Sequence, residues 1–123
     1  MYACAETADQ PQENATGNAA VFAAAVKRMR EQIQKPIKVR ELAEYLHISL
    51  SQLKRIFQQY ASTGVHEYLL TMKMNHARQL LRQGQSVSAD AEAVGFENPN
   101  YFSAAFRREV GVTPGQYRRE KGQ

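Results

Sequence analysis

One pattern of apolar residues occurs twice in this chain, and it limits the possible folds more than any other feature. Val39, Leu42, Ala43, Leu46, Ile48, Leu53, Phe57 and Tyr68 are echoed further on by Val87, Asp90, Ala91, Val94, Phe96, Phe102, Phe106 and Tyr117. The offset is 48 as far as Ile48 and Phe96 and 49 from Leu53 and Phe102 onward, so the second turn holds one extra residue. Spacings of three and four residues mark helical faces. Each copy therefore reads as a short helix, a tight turn and a second helix ending in basic or amide side chains. Self-similarity at such a period is the signature of a repeated helical unit.

The rest of the chain fits around the two copies. From Asn18, a helix N-cap candidate, Phe22, Val26, Met29 and Ile33 recur on one face until Pro36 ends the helix. A short helix over about 39–46 turns Val39, Leu42, Ala43 and Leu46 inward. Ser49 caps the next, which runs to about Ala61 with Leu53, Ile56, Phe57 and Tyr60 inside. Ser62-Thr63-Gly64 breaks the chain. A long helix over about 65–82 carries Leu69, Met72, Ala77, Leu80 and Leu81 inward and closes at Gly84. Ser88 is the expected cap of the following short helix, and Gly95 supplies its turn. Asn98-Pro99 opens a helix to about Val110, and Thr113-Pro114 a last one through Arg119. Strand signals are absent. The expected fold is all-α: seven helices in two helix-turn-helix subdomains, about 38–61 and about 87–110, joined by the linker helix 65–82.

Residues 1–17 are small and polar and contain proline, so they read as a disordered tail or as a linker to another part of a longer protein. They carry Glu6, Asp9 and Glu13 with no lysine or arginine, which leaves residues 18–123 at +7. That balance favours a polyanionic partner. No apolar run approaches the roughly 20 residues of a membrane-spanning helix, and the N-terminus lacks the pattern of a secretory signal. Cys4 is the single cysteine, which excludes an internal disulfide and fits a reducing, cytoplasmic setting. His47, His66 and His76 have neither zinc-type spacing nor a nucleophile beside them. No cofactor, no metal and no enzymatic chemistry is expected.

A helix held outward from a compact bundle fits the major groove of B-DNA, where arginine and lysine suit guanine, and asparagine and glutamine suit adenine. Leu53, Ile56 and Phe57 fix the inner face of the first such helix, so Ser51, Lys54, Arg55 and Gln58 face out. In the second, Phe102, Ala105 and Phe106 point in, leaving Asn98, Asn100, Ser103 and Arg107 outside. The linker helix would span roughly 27 Å at ~1.5 Å per residue, against the roughly 34 Å between successive major-groove faces. Arg107, Arg108, Arg118 and Arg119 form a further basic group expected to supply a phosphate contact, with Arg108 alternatively paired to a local carboxylate.

The stretch Val94-Gly95-Phe96-Glu97-Asn98-Pro99-Asn100-Tyr101-Phe102-Ser103, followed by Phe106-Arg107-Arg108, Gly111-Val112-Thr113-Pro114 and Tyr117-Arg118, resembles the signature of the AraC/XylS family of bacterial transcription regulators. Leu42-Ala43, Leu53, Phe57, Tyr68-Leu69, Ala77 and Leu80-Leu81 fit the remainder of that domain, and the resemblance covers about residues 20–119. It implies base-reading positions at Ser51, Lys54 and Arg55 in the first unit and at Pro99, Asn100, Ser103 and Ala104 in the second. It also implies transcriptional activation by recruitment of RNA polymerase, and an effector-binding or dimerisation region outside this domain.

Three positions depart from that pattern. Ala104 stands where many relatives have a contacting arginine. Lys38 stands where a helix-capping serine or threonine is usual. Asp90 stands where the repeat has Leu42, on an inward face; the expectation is that its helix starts late or rotates, so that the carboxylate reaches water or an arginine. Two other functions compete with sequence-specific reading. One is architectural DNA binding without sequence preference, favoured by Pro99 and Ala104. The other is a protein-interaction module.

Overall fold

The computed structural model describes residues 13–36 and 38–121. Seven helices are found among these residues: α1 (Glu13–Glu31), α2 (Val39–Tyr45), α3 (Leu50–Ala61), α4 (Val65–Arg82), α5 (Val87–Ala93), α6 (Pro99–Val110) and α7 (Pro114–Lys121). The fold is the all-α one expected from the repeat. The N-terminal expectation needs correction, because α1 begins at Glu13 and not after Asn18. The alanines at 19, 20 and 23–25 favour helix enough to carry Gly17 and Asn18 along, each costing under about 1 kcal/mol. Residues 1–12 of the expected tail, with Cys4, lie outside the described residues. At its other end α1 stops at Glu31, five residues before Pro36, and Ile33 sits in a turn closed by Lys35 N–H on Gln32 O.

The described residues divide into two units, one of residues 13–29 and 39–65, the other of 30–36, 38 and 66–121. In the first, α3 is capped by Ser49, whose side chain accepts from Gln52 N–H. Leu53, Ile56 and Phe57 of α3 are buried with Ala25 and Met29 of α1 and Leu42 of α2. Phe22 meets Phe57 edge-on, with centroids 4.9 Å apart. Tyr60 was expected inside but is 37% exposed; it lies stacked on Phe22 at the rim.

The second unit holds α4 to α7. Phe96, Phe102, Phe106 and Tyr117 form a chain of ring contacts at 5.5–5.8 Å. Burial of each such ring stabilises by about 1.5–3 kcal/mol. On α4, Leu70, Met74, Ala77 and Leu81 form the buried stripe of this core, whereas the expected Met72 and Leu80 are only half-buried. The α5 cap is also displaced from expectation. It is Ser86, not Ser88, whose Oγ accepts from Ala89 N–H. By the repeat, Ser86 corresponds to Lys38.

The two turns are built alike. Gly95 at φ +81 closes α5, with Gly95 N–H on Glu92 O and Phe96 N–H on Ala91 O, a Schellman arrangement. In the first unit His47 N–H on Glu44 O and Ile48 N–H on Ala43 O repeat it. There the left-handed position is taken by His47, at φ +60.

Asp90 does not escape the core. It is 0% exposed, and neither carboxylate oxygen has a hydrogen-bond partner. Ser86 fixes where α5 starts, and the neighbouring Ala91 and Val94, at 1% and 0% exposure, fix its rotation. One carboxyl cannot turn a helix held by two apolar anchors and a cap. Burial pushes its pKa up to about 7.

Candidate nucleic-acid interface

Helices α3 and α6 share one register. Each buries three residues at identical positions, Leu53, Ile56 and Phe57 in α3 and Phe102, Ala105 and Phe106 in α6. The outward positions therefore correspond as well: Ser51 with Asn100, Lys54 with Ser103, Arg55 with Ala104, and Gln58 with Arg107. Ser51, Lys54, Arg55 and Gln58 are all exposed, as are Asn100, Ala104 and Arg107, while Ser103 is half-buried. The α3 face carries two cations next to a hydroxyl and an amide. On α6 the charge moves one turn towards the C-terminus, where Arg107 and Arg108 also complement the helix dipole.

Several expected contact residues have structural tasks. Asn98 caps α6, its Oδ1 accepting from Asn100 N–H at 2.8 Å and Tyr101 N–H at 3.4 Å. Only its amide nitrogen is left for other partners. Pro99 occupies the first turn, exposed and without a donor. Arg118 braces the turn after α4, with Nε on Gln85 O at 2.9 Å and a terminal nitrogen on Gly84 O at 3.1 Å. The structure thus separates Arg118 from the exposed arginines of α6 by giving it carbonyl partners. Arg82 donates to the Tyr117 hydroxyl at 2.9 Å. Burial would raise the Tyr117 pKa, but the hydrogen bonds and charges of Arg78 and Arg82 outweigh it and hold the phenol below its usual value.

Sequence reasoning missed Lys73. It lies 1% exposed on α4, in the buried stripe with Leu70, Met74 and Ala77. Its ammonium donates to three backbone carbonyls: Ile33 at 2.8 Å, Lys35 at 2.6 Å and Val94 at 2.8 Å. Desolvation lowers its pKa to about 8. The i, i+3, i+4, i+7 spacing of Leu70, Lys73, Met74 and Ala77 is the sequence signal for this buried face, and the charge of lysine masks it.

A groove of about 490 Å³ beside α6 is bordered by Gln34, Ser88, Glu92, Glu97 and Pro99. Its two carboxylates oppose a phosphate backbone, so the basic outer faces are the better match to a polyanion. Among the described residues no His, Cys, Asp or Glu cluster could hold a metal, and no helix is long and apolar enough to cross a membrane.

Comparison with known proteins agrees with this geometry. A helix-turn-helix domain family model matches residues 42–120. The HTH-type transcriptional regulator ArgR of Pseudomonas aeruginosa is 36% identical over 98 residues, which cover 79% of this chain and 30% of that regulator. A crystal structure of an AraC-type transcriptional regulator from Chromobacterium violaceum superposes with a TM-score of 0.77 at 33% identity, covering 88% of this chain and 97% of that one. The DNA-binding domain of the transcriptional factor AdpA, solved with a target DNA, gives 0.72 at 28% identity, over 84% of this chain and 90% of that one. The chain spans 24–31% of the length of the first curated relatives it matches. Repeat, register, family model and neighbours agree, and this chain belongs to the AraC-type helix-turn-helix family of transcriptional regulators.

Proposed function

We propose that this domain binds double-stranded DNA sequence-specifically, each unit placing its second helix in the major groove, and that it does so to activate transcription. The observation that carries the reading is the shared register of α3 and α6, which turns four matching positions of each helix away from the core, all four polar on α3 and three of them, Asn100, Ser103 and Arg107, polar on α6. Ser51, Lys54 and Arg55 read bases from α3, and Asn100 and Ser103 read them from α6. Gln58, Asn98, Pro99, Ala104, Arg107 and Arg118 flank these along the backbone, with Arg118 limited to the donors its carbonyl partners leave free. Because the outward residues of the two helices differ, the site is asymmetric, of roughly 15–20 base pairs. RNA polymerase is the proposed downstream partner, and dimerisation is assigned to a region outside this chain.

Selection of random duplexes by the purified chain at fixed salt tests the reading. An enriched asymmetric motif supports it. Equal retention of all sequences with a steep salt dependence would instead favour architectural binding, a reading helped by Pro99 and Ala104, which offer no side-chain donor. Retention of no duplex at all would leave the protein-interaction module. Placing the enriched site upstream of a promoter in a purified transcription reaction tests activation.

A further inference from the structure

The environment of Lys73 gives it a task beyond filling space in the core. An ammonium has three donors, and all three are spent on carbonyls from two separate segments, Ile33 and Lys35 on one side and Val94 on the other. Val94 is the last residue before Gly95, whose turn leads into α6. Gly95 itself presses on the Lys35 carbonyl so closely that no Cβ fits between them. The segment before α2 and the α5–α6 turn are thus fastened to each other at two adjacent points.

An apolar side chain would fill this space without the cost of burying a charge, but it would leave the three carbonyls without their donor. What it could not do is hold three carbonyls at fixed spacing. The duplication supplies a control within the same molecule. At the offset of 48, Lys73 corresponds to Ala25, Val94 to Leu46 and Gly95 to His47. Ala25 is fully buried, so the first unit has a methyl group where the second has an ammonium.

We propose that Lys73 is the positioning residue of the second DNA-reading helix, its ammonium seating the α5–α6 turn on residues 33–35 and so setting the direction of α6. This rests on the reading of α6 as a base-contacting helix. The probe is the duplex that the wild-type chain selects, footprinted with hydroxyl radicals, with the part read by α6 identified from Asn100→Ala. Lys73→Met should bind at least tenfold more weakly and lose protection over that part alone, while the part read by α3 stays protected. Lys73→Arg, whose guanidinium can also donate to several carbonyls, should protect both. Amide exchange without DNA should quicken in α6 of Lys73→Met and stay unchanged in α3.

Protection of both parts by Lys73→Met as in wild type, or equal weakening of both, overturns the proposal. If Lys73→Met does not melt cooperatively, Gly95→Ala attacks the same seat from the other side, and normal reading of both parts by that variant overturns it equally. Failure of the wild-type chain to select any duplex would refute the DNA reading itself and leave the exchange measurement to decide the seat alone.

Discussion

Replacing Asp90 by isoleucine should raise the melting temperature, and the gain should grow with pH. Asp90 is fully buried without a hydrogen-bond partner, and its pKa moves from 3.8 to about 7 through desolvation. A shift of about three units corresponds to ~4 kcal/mol at about 1.4 kcal/mol per unit. The sign follows from the direction. A carboxyl whose folded pKa is raised adds no charge penalty below about pH 4, where both states are protonated. As pH rises from 4 to 7 the unfolded chain releases the proton first, and stability falls. Above 7 the full penalty is in place.

Isoleucine removes that penalty and matches the apolar Leu42 of the first unit, but its greater volume costs about 1–3 kcal/mol if the core cannot yield. A net gain of ~2 kcal/mol at pH 8 corresponds to roughly 10 °C for a domain of this size. Circular dichroism melts of wild type and Asp90→Ile at pH 4.5, 6 and 8 measure it, and the difference between the two proteins isolates Asp90 from every other titration. Asp90→Asn, close in volume, controls for charge alone. A difference that stays constant across pH would mean that the carboxylate is solvated, and the burial argument would fail.

Three further outcomes follow from the repeat. His47→Gly should raise the free energy of unfolding by about 1 kcal/mol, seen as a higher urea midpoint, because a left-handed backbone costs a non-glycine residue ~1–2 kcal/mol; a lower midpoint would show that the imidazole makes up for its backbone. Lys38→Ser should add about 1 kcal/mol by giving α2 the cap that Ser86 gives α5, and an unchanged denaturation curve would count against it. Arg55→Ala should weaken binding to the selected duplex by about 1–3 kcal/mol and relax preference at one or two bases, measured by fluorescence anisotropy on single-base variants. Unaltered affinity and preference would remove α3 from the groove.

The parts of this fold that could be read from sequence are those where several local signals coincide. The α3 and α6 boundaries follow from Ser49 and Asn98 at their starts and large apolar residues at helical spacing within. Their outward faces were legible for the same reason, since burying Leu53, Ile56 and Phe57 leaves Ser51, Lys54, Arg55 and Gln58 nowhere else to go. Legibility fails where tertiary packing overrides residue type. Lys73 and Asp90 have polar heads that local reasoning places in water, yet their helices are fixed by apolar neighbours and carry them inside. Arg118 is a surface arginine in sequence, and its attachment to Gly84 and Gln85 depends on a return of the chain over more than thirty residues. The Ser86 cap was missed because Ser88 competes with it two residues later, and only the backbone shows which hydroxyl meets a free N–H.

The two copies have diverged in where they carry their liabilities. The first unit has the strained turn at His47, and its α2 follows Lys38 where α5 follows the Ser86 cap. The second has the better caps and the glycine turn, and it holds the two fully buried ionisable side chains found among the described residues, Lys73 and Asp90. Their penalties run in opposite directions. Asp90, with its pKa raised to about 7, destabilises when charged, above that value. Lys73, with its pKa lowered to about 8, carries its cost below 8 and is relieved as pH rises from 8 towards the unfolded value of 10.5. Between about pH 7 and 8 both charges are inside, and no hydrogen bond joins them. The second unit should therefore be least stable in that window and the first indifferent to it. Amide exchange, corrected for intrinsic rates, should show α6 opening most readily near pH 7.5 and less so at pH 5 and 10, with no such maximum in α3. A flat α6 profile would require that water or each other neutralises the two groups, and the divergence of the copies would then be one of packing alone.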